Sequence, residues 1–297
     1  MDSHAVGRFI KPLDVVHSLG YFAPEVADQL VAAGLEPGGM GYFASRSAAM
    51  GEVGAGVVAA TFYNFNPQLV AHFIPRAWSL CDPPGVLAAR FTGIDAALRR
   101  ILGDLLCESP EVGEVVDLLR IATDVCRPEG RPLYAAHADL RWPSESHLAM
   151  WHGLTLLREH RGDGHLIALQ SVGLSGIEAL ITHTATGAGF TQKFARTRRA
   201  WSPEQWDEAV AGLQVRGILD EDGALTHIGI EVRQQAENLT DELAATPWNE
   251  LGEQRVRRLG ALMVPIHAAV LASGVFPDGT YGDRWAGGSF APDAELS

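Results

Sequence analysis

The stretch that decides the fold is residues 201–230, WSPEQWDEAVAGLQVRGILDEDGALTHIGI. Ser202 and Pro203 are typical of the first turn of a helix, and an apolar stripe at helical spacing follows them. Gly217 is expected to end that helix. The segment after it predicts two short strands around an acidic turn at residues 220–223, followed by another helix. The pattern therefore predicts a helix, a small two-stranded wing and a long helix in that order.

Helical periodicity dominates the chain outside this stretch. It predicts helices at residues 25–33, 68–80, 86–106, 112–125, 144–160 and 251–272. The two glycines of RGDGH, residues 161–165, are expected to break the helix there into a turn. Three prolines in residues 127–143 favour a connector. The sequence thus predicts a mainly α fold: an N-terminal helical domain with its connector at 1–143, a winged helix-turn-helix domain with the C-terminal helix at 144–276, and a flexible tail at 277–297.

Composition and charge limit the classes of function. The chain has 297 residues, a formal net charge of -13 and three cysteines. An acidic protein repels phosphate backbones and anionic lipid, so neither nucleic acid nor a membrane is expected as a partner. The sparse cysteines favour a reducing compartment, and no apolar stretch reaches the roughly 18 residues of a membrane span. No signal-peptide pattern is visible at the start, so a cytoplasmic protein is predicted.

Two resemblances follow from particular strings. Residues 153–245 resemble the winged helix-turn-helix family in the MarR-like order, in which the wing leads into a long helix. The residues that carry this resemblance are WSP at 201–203, RGIL at 216–219, DG at 222–223 and LTHIG at 225–229. Residues 21–248 also resemble an uncharacterised actinobacterial group, labelled SalK-like and described as helix-turn-helix. The strings are YFASR at 42–46, ATFYNFNP at 60–67, WH at 151–152 and LREHRGDGH at 157–165. This second resemblance implies a fold and no particular activity.

The winged-helix resemblance implies DNA binding, which the local charge opposes. The predicted recognition helix at 202–216 carries three acids and one arginine, and the wing tip at 220–222 is entirely acidic. A basic cluster lies upstream, consisting of Lys193, Arg196, Arg198 and Arg199. It either contacts a phosphate backbone or forms a solvated face. A MarR-like, ligand-responsive transcription regulator is therefore the alternative hypothesis.

The polar density of residues 152–165 is the leading candidate site, because clustered titratable groups mark functional sites. Asp163 is expected to orient a histidine that works as general acid or base, while an arginine holds a carboxylate or enolate oxygen. The candidate catalytic residues are His160, Asp163, His165 and Glu159. Polar residues of the N-terminal domain are expected to complete a pocket between the domains. The candidate substrate-binding residues are Tyr42, Arg46, Tyr63, Asn64, Trp151, His152, Arg158 and Arg161.

Structural alternatives stand beside each role. Histidines and arginines near a helix end often bond the last carbonyls, Asp163 could be a helix cap, and Arg158 with Glu159 could be a surface pair. A metal held by His152, His160 and His165 is a further alternative, although the spacing matches no standard zinc pattern. No organic cofactor is implied. The hypothesis is a small-molecule-binding, catalytic protein of actinobacterial specialised metabolism, with the C-terminal helix as a possible homodimer face.

Overall fold

The computed structural model describes Phe9 and residues 12–285, and within that part the chain is mainly helical. The first helices are α1 (described over residues 12–17), α2 (Leu19–Phe22), α3 (Pro24–Ala32), α4 (Gly39–Ser47), α5 (Ala55–Phe62), α6 (Pro67–Phe73), α7 (Pro83–Leu102), α8 (Asp104–Cys107), α9 (Pro110–Asp124) and α10 (Pro132–Ala138). The remaining helices are α11 (Ser146–Ser171), α12 (Gly176–Ala185), α13 (Gln192–Arg199), α14 (Pro203–Val215), α15 (His227–Ala244) and α16 (Thr246–Ala272). Short 3-10 turns lie at Ala48–Met50 and Arg76–Ser79.

Local chemistry sets most helix starts. Proline occupies the first turn of several helices, where its missing N–H costs no hydrogen bond; these are α3, α6, α7, α9, α10, α14 and α16. Ser202 accepts a hydrogen bond from the backbone N–H of Gln205, and the Gln205 side chain bonds back to the N–H of Ser202. Thr226 caps α15 in the same way by accepting from Gly229. The predicted start of α14 is therefore confirmed, and its cap is a full capping box.

Two apolar cores share one helix. The larger core collects α1–α7, α9, the first half of α11 and α16, and the smaller one collects the end of α11 with α12–α15. Trp151 and Leu154 of α11 lie in the larger core, whereas Leu169 lies in the smaller one. Because α11 is one continuous helix, it holds the two cores together. The boundaries at residues 143 and 276 stay predictions.

The predicted break at residues 161–165 is wrong, because α11 runs through it without interruption. A Cβ at Gly162 would lie 2.7 Å from Nη1 of Arg158, and one at Gly164 would lie 2.7 Å from Nη1 of Arg131. These glycines therefore let neighbouring side chains lie against the helix backbone, and they do not form a turn. The connector prediction also needs correction, since residues 127–143 contain α10.

The predicted two-stranded wing is not supported. Between α14 and α15 the chain forms a single antiparallel bridge between Leu219 and Leu225. Oδ1 of Asp220 accepts hydrogen bonds from the backbone N–H groups of Asp222 and Ala224, which closes a tight acidic turn. On the side away from this turn, α14 ends at Val215 and Thr226 already caps α15, so few residues are left to extend the bridge into a ladder. Within the described residues, paired β-structure is limited to isolated bridges.

The apolar stripe of the C-terminal helix packs against other helices of the same chain. Val256, Leu259 and Met263 of α16 are fully buried in the larger core, and α16 packs chiefly on α9. The stripe proposed as a dimer face is therefore covered, and dimerisation stays a prediction. Of the tail predicted to be flexible, residues 286–297 lie outside the described part, whereas the rings of Tyr281 and Trp285 stack at 3.7 Å.

Among the described helices, none is by itself long and apolar enough to cross a membrane. The helices α11 and α12 satisfy the length and composition only as a pair, and they are bent by 99° relative to each other.

Candidate functional site

A buried ion pair joins α4 to α11. Nη2 of Arg46 donates to both carboxylate oxygens of Glu159 at 3.0 Å, and Nη1 of Arg158 donates to Oε2 at 2.8 Å. Side-chain exposure is 6% for Arg46 and 1% for Glu159. Burial alone would raise the pKa of Glu159, but Arg46 and Arg158 outweigh burial and hold that pKa well below its ordinary value. Glu159 is thus a fixed anion near neutral pH rather than a proton carrier.

Tyr42 lies one turn before Arg46 on α4, so the two side chains meet. Nη1 of Arg46 donates to the phenol oxygen of Tyr42 at 3.0 Å, which leaves the phenol proton free to be donated elsewhere. Burial raises the pKa of Tyr42, but the guanidinium groups of Arg46, Arg199 and Arg158 outweigh it and lower the pKa below its ordinary value. Tyr42 is therefore an acidified phenol.

A second tyrosine belongs to a hydrogen-bonded chain of three side chains. Nδ1 of His17 lies 3.1 Å from Oγ1 of Thr155, and Nε2 of His17 lies 2.6 Å from the phenol oxygen of Tyr21. Thr155 already donates its one proton to the carbonyl of Trp151, so it must accept from Nδ1–H of His17. Burial lowers the pKa of His17 and keeps the ring neutral. Nε2 therefore accepts the proton of Tyr21.

The two tyrosines have pKa values pushed in opposite directions. Burial raises the pKa of Tyr21 to about 12, whereas the neighbouring arginines lower the pKa of Tyr42. Their ring centroids are 5.3 Å apart. Both line a cleft of about 190 Å³ between α2, α3 and α4, whose other lining residues include Gly20, Ala23, Val26, Leu30 and Ser45. The cleft thus contains Tyr42, a phenol with a lowered pKa, and Tyr21, a phenol bonded to the base His17, and such a pair is able to transfer protons to and from a ligand.

Some of the residues singled out from the sequence are neighbours here, and their catalytic and binding roles stay predictions. The structure brings together Glu159, Arg46, Tyr42 and Arg158, and it places Trp151 against His17 with ring centroids 5.7 Å apart. His17, Tyr21 and Arg90 were missed. Arg90 had a detectable signal, because it lies four residues from both Val86 and Ile94 on the buried face of α7.

His160 and Asp163 belong to a structural contact with α10 instead. Oδ2 of Asp163 accepts from the backbone N–H of Tyr134 at 2.9 Å and so caps a helix that has no cap of its own. The ring of His160 packs edge-on against Tyr134 at 5.2 Å. Burial lowers the pKa of His160 to about 4 and raises that of Asp163 to about 6. Neither His160, predicted as the catalyst, nor Asp163, predicted as the acid that orients it, lines the cleft.

The other predicted residues on α11 face other neighbours. Nδ1 of His165 lies 2.8 Å from Oγ1 of Thr240, and Nη2 of Arg161 donates to Asp241 at 3.0 Å, so both face α15. His152 lies between Trp142 and Phe91 at ring distances of 5.1 and 6.2 Å. A helix that is buried on several sides distributes its polar residues among all its neighbours.

No group of three or more His, Cys, Asp or Glu side chains in the described residues is arranged to hold a metal ion. The proposed ligands His152, His160 and His165 therefore do not converge on α11. Their pKa values are all lowered, chiefly by burial, which identifies them as neutral rings in apolar surroundings.

Tyr63 contacts the segment before α12 and Asn64 contacts the end of α13, so neither lies in the cleft. The phenol of Tyr63 donates to the carbonyl of Leu174 at 2.6 Å, and Nε of Arg199 donates to Oδ1 of Asn64 at 3.1 Å. Asn66, which the prediction omitted, donates to the carbonyl of Ala200 and to the Gln205 side chain, each at 3.0 Å. The turn between α13 and α14 is thus fastened to the loop between α5 and α6.

The four basic residues of α13 have different surroundings. Arg196 lies over the ring of Trp206 at 5.2 Å, and Arg199 lies over Phe65 at 4.1 Å. Lys193 and Arg198 are exposed. Only part of the basic cluster is therefore open to a phosphate backbone.

Comparison with known proteins identifies the family. A family model described as a helix-turn-helix family matches residues 6–277, so the chain belongs to that helix-turn-helix family. No curated protein matches the chain, and neither does any solved structure.

Proposed function

We propose that the protein binds a small molecule in the cleft between α2, α3 and α4 and transfers protons to and from it. The observation that carries this proposal is the pair of cleft-lining tyrosines with different partners: Tyr21 donates to His17, whereas Tyr42 accepts from Arg46, and their pKa values are displaced in opposite directions. Such divergence between neighbouring titratable groups is typical of acid and base partners.

The geometry suggests a role for each group. Tyr42 receives a hydrogen bond from Arg46, so its own proton can be given to a ligand oxygen. Tyr21 donates to His17, so it can take a proton from the ligand while it passes its own to Nε2. Glu159 raises the pKa of His17 and so favours the charged imidazole that would form, whereas burial and the arginines at 158, 90 and 46 lower that pKa. The reaction class that fits is proton abstraction beside a carbonyl group.

Deuterium exchange tests this proposal without knowledge of the natural substrate. We expect the wild-type protein in D₂O to accelerate deuterium uptake into members of a panel of short 2-oxo and 4-oxo acids, followed by NMR. Replacing Tyr42 by Phe or His17 by Ala should slow that uptake by about 100-fold or more, the scale of general acid–base catalysis. Tyr63→Phe is the matched control, because the Tyr63 phenol bonds Leu174 and does not line the cleft. Equal exchange rates in all four proteins would sink the proposal, as would a wild-type rate no faster than that of the solvent.

A second candidate function is a ligand-responsive transcription regulator of MarR-like, winged-helix order. Two contacts favour it: Asn64 accepts a hydrogen bond from Arg199, and Asn66 donates to Ala200 and Gln205, which connects the helix-turn-helix segment to the part of the chain that contains the cleft. The narrower SalK-like resemblance, with a place in actinobacterial specialised metabolism, is likewise a proposal that the family match is consistent with.

Duplex binding distinguishes the two functions. The regulator predicts a mobility shift at low salt that weakens when Lys193 and Arg198 are both replaced by Ala, with the salt slope reduced by about two. The exposed acids Glu204, Asp207 and Glu208 on α14 oppose this outcome. No shift at low salt would remove the regulator from consideration.

A further inference from the structure

A second cavity lies within the helix-turn-helix segment, between α12, α13, α14 and the acidic turn at residues 220–223. Its volume is about 310 Å³, which exceeds the volume of the cleft between α2, α3 and α4. Small-molecule sites usually span about 300–1,000 Å³, so this cavity is large enough to hold a ligand. None of the residues that line it also lines the cleft. The two spaces are therefore separate.

The floor of this cavity is apolar. Ile181, Trp206 and Leu219 all line it, although they are only 4%, 2% and 3% exposed and belong to the smaller core. The cavity therefore reaches down to the core of the helix-turn-helix segment. Val210 continues the apolar surface one turn after Trp206 on α14. An apolar group placed on this floor is removed from water, which favours its binding.

A guanidinium group forms part of the wall. The guanidinium carbon of Arg196 lies 5.2 Å from the ring centre of Trp206, and Arg196 lines the cavity. Within the described residues this guanidinium forms no hydrogen bond and no ion pair. A guanidinium carries five N–H donors and binds a carboxylate through two parallel hydrogen bonds. The donors of Arg196 are therefore available to an anionic group inside the cavity.

Three carboxylates line the same cavity, from Asp207 on α14 and from Glu221 and Asp222 on the acidic turn. Over the part of the chain that the structure describes, these side chains form no ion pair with Arg196 or with any other cation. Opposite charges thus share one space without contacting each other. A molecule that carries both charges satisfies both sides of such a space.

A ligand of a single charge matches this wall less well. An anion bound to Arg196 is repelled by the three carboxylates, and a cation beside the carboxylates is repelled by Arg196. The apolar floor adds a third requirement, because it leaves a ligand without an apolar group in poor contact. The lining therefore selects for a carboxylate, an ammonium and an apolar group in one small molecule.

We propose that this cavity binds a free amino acid with an apolar side chain. The carboxylate of the amino acid takes hydrogen bonds from Arg196, its ammonium group lies among the three carboxylates, and its side chain lies on the apolar floor. The inference goes beyond the proposed function, because the cavity shares no lining residue with the cleft.

Calorimetric titration of the full chain with defined probes tests the proposal. L-phenylalanine is expected to bind at least tenfold more tightly than phenethylamine, which lacks the carboxylate, and than 3-phenylpropionate, which lacks the ammonium group. L-leucine is expected to show the same preference over 3-methylbutylamine and 4-methylpentanoate. Glycine, without an apolar side chain, should bind more weakly than either amino acid.

Three outcomes of these titrations would overturn the proposal. The first is an amine that binds as tightly as its amino acid, which would leave a site for cations alone. The second is an acid that binds as tightly, which would leave a site for anions alone. The third is the absence of binding by both phenylalanine and leucine at millimolar concentrations.

Variants locate the binding and separate its two charged ends. Arg196→Met should weaken phenylalanine binding at least tenfold without weakening phenethylamine binding, because only the partner of the carboxylate is lost. Asp207→Asn combined with Glu221→Gln should also weaken phenylalanine binding at least tenfold, and it should strengthen 3-phenylpropionate binding because two repelling charges are removed.

The matched controls are Arg198→Met on α13 and Glu208→Gln on α14, because both side chains are exposed and neither lines the cavity. Both should bind phenylalanine normally. Circular dichroism verifies that every variant is folded. Wild-type affinity for phenylalanine in folded Arg196→Met, or an equal loss of affinity in Arg198→Met, would refute the proposed site.

Discussion

Replacement of Glu159 by Gln should destabilise the protein by about 3–5 kcal/mol, the usual cost of removing one partner of a buried ion pair. The structure supports the upper part of that range for three reasons. Glu159 is 1% exposed, it accepts from both Arg46 and Arg158, and Arg46 keeps only 6% side-chain exposure. The neutral amide would leave the Arg46 charge buried without its counterion, and Nε of Arg46 already has no partner within the described residues.

The assay is equilibrium urea unfolding followed by circular dichroism, with wild type and variants at the same pH and salt. Glu253→Gln is the matched control, because the pair of Glu253 with Arg257 is exposed and should contribute about 0.3–0.5 kcal/mol. The double variant Arg46→Met with Glu159→Met removes both fully buried charges and leaves only the partly exposed Arg158 without its partner, so it should recover most of the loss. A cost below about 1 kcal/mol for Glu159→Gln, or a double variant as unstable as the sum of the singles, would refute this account.

Three further predictions concern the packing around α11 and the α13–α14 turn. Asp163→Asn should remove a pH dependence of stability. Burial raises the pKa of Asp163 from 3.8 to about 6, so the folded state binds this proton more tightly than the unfolded state does. The resulting contribution to the free energy of unfolding is fully present below pH 3.8 and is lost as the pH rises through 6. In this variant the unfolding free energy at pH 4, relative to that at pH 7, should therefore fall by about 2–3 kcal/mol compared with wild type in thermal melts, and an unchanged pH profile would contradict the prediction. Gly176→Ala should cost about 1–3 kcal/mol, because its Cβ would lie 2.0 Å from the Tyr63 carbonyl oxygen, whereas Gly212→Ala, which meets nothing within 4 Å, should be neutral or stabilising in the same melts. Asn66→Ala should destabilise the protein by about 1–3 kcal/mol in urea unfolding, because its hydrogen bonds to Ala200 and Gln205 are lost. A neutral effect would show that the α13–α14 turn does not depend on these bonds.

The helices were the predictable part of the fold. Their starts are encoded by neighbouring residues, as in the box of Ser202 with Gln205 and the cap of Thr226 on Gly229. The errors arose where glycine has two uses. Gly162 and Gly164 were expected to break a helix, yet both are helical, and side chains of Arg158 and Arg131 lie against them. A sequence pattern alone does not distinguish a glycine that bends the chain from one that admits a neighbour.

For the candidate site, the sequence indicated some of the residues but not which residues contact one another. Tyr42, Arg46, Arg158 and Glu159 were singled out as polar residues in apolar surroundings, and they do meet. His17 and Tyr21 were missed, because His17 of α1 contacts Thr155 of α11 across more than 130 residues of chain, and Tyr21 joins the cluster through His17.

The sequence by itself determined the helical content, the helix starts and the acidic character of the segment from Ser202 to Asp222, since these depend on near neighbours and on composition. Only the tertiary structure decided which polar residues of α11 join the buried cluster with Arg46 of α4. Glu159, His160 and His165 lie within two turns of one another, yet Glu159 faces α4, His160 faces α10 and His165 faces α15. The reason is that each residue of an α-helix is rotated by about 100° from the last, so a helix surrounded by neighbours presents each side chain to a different one.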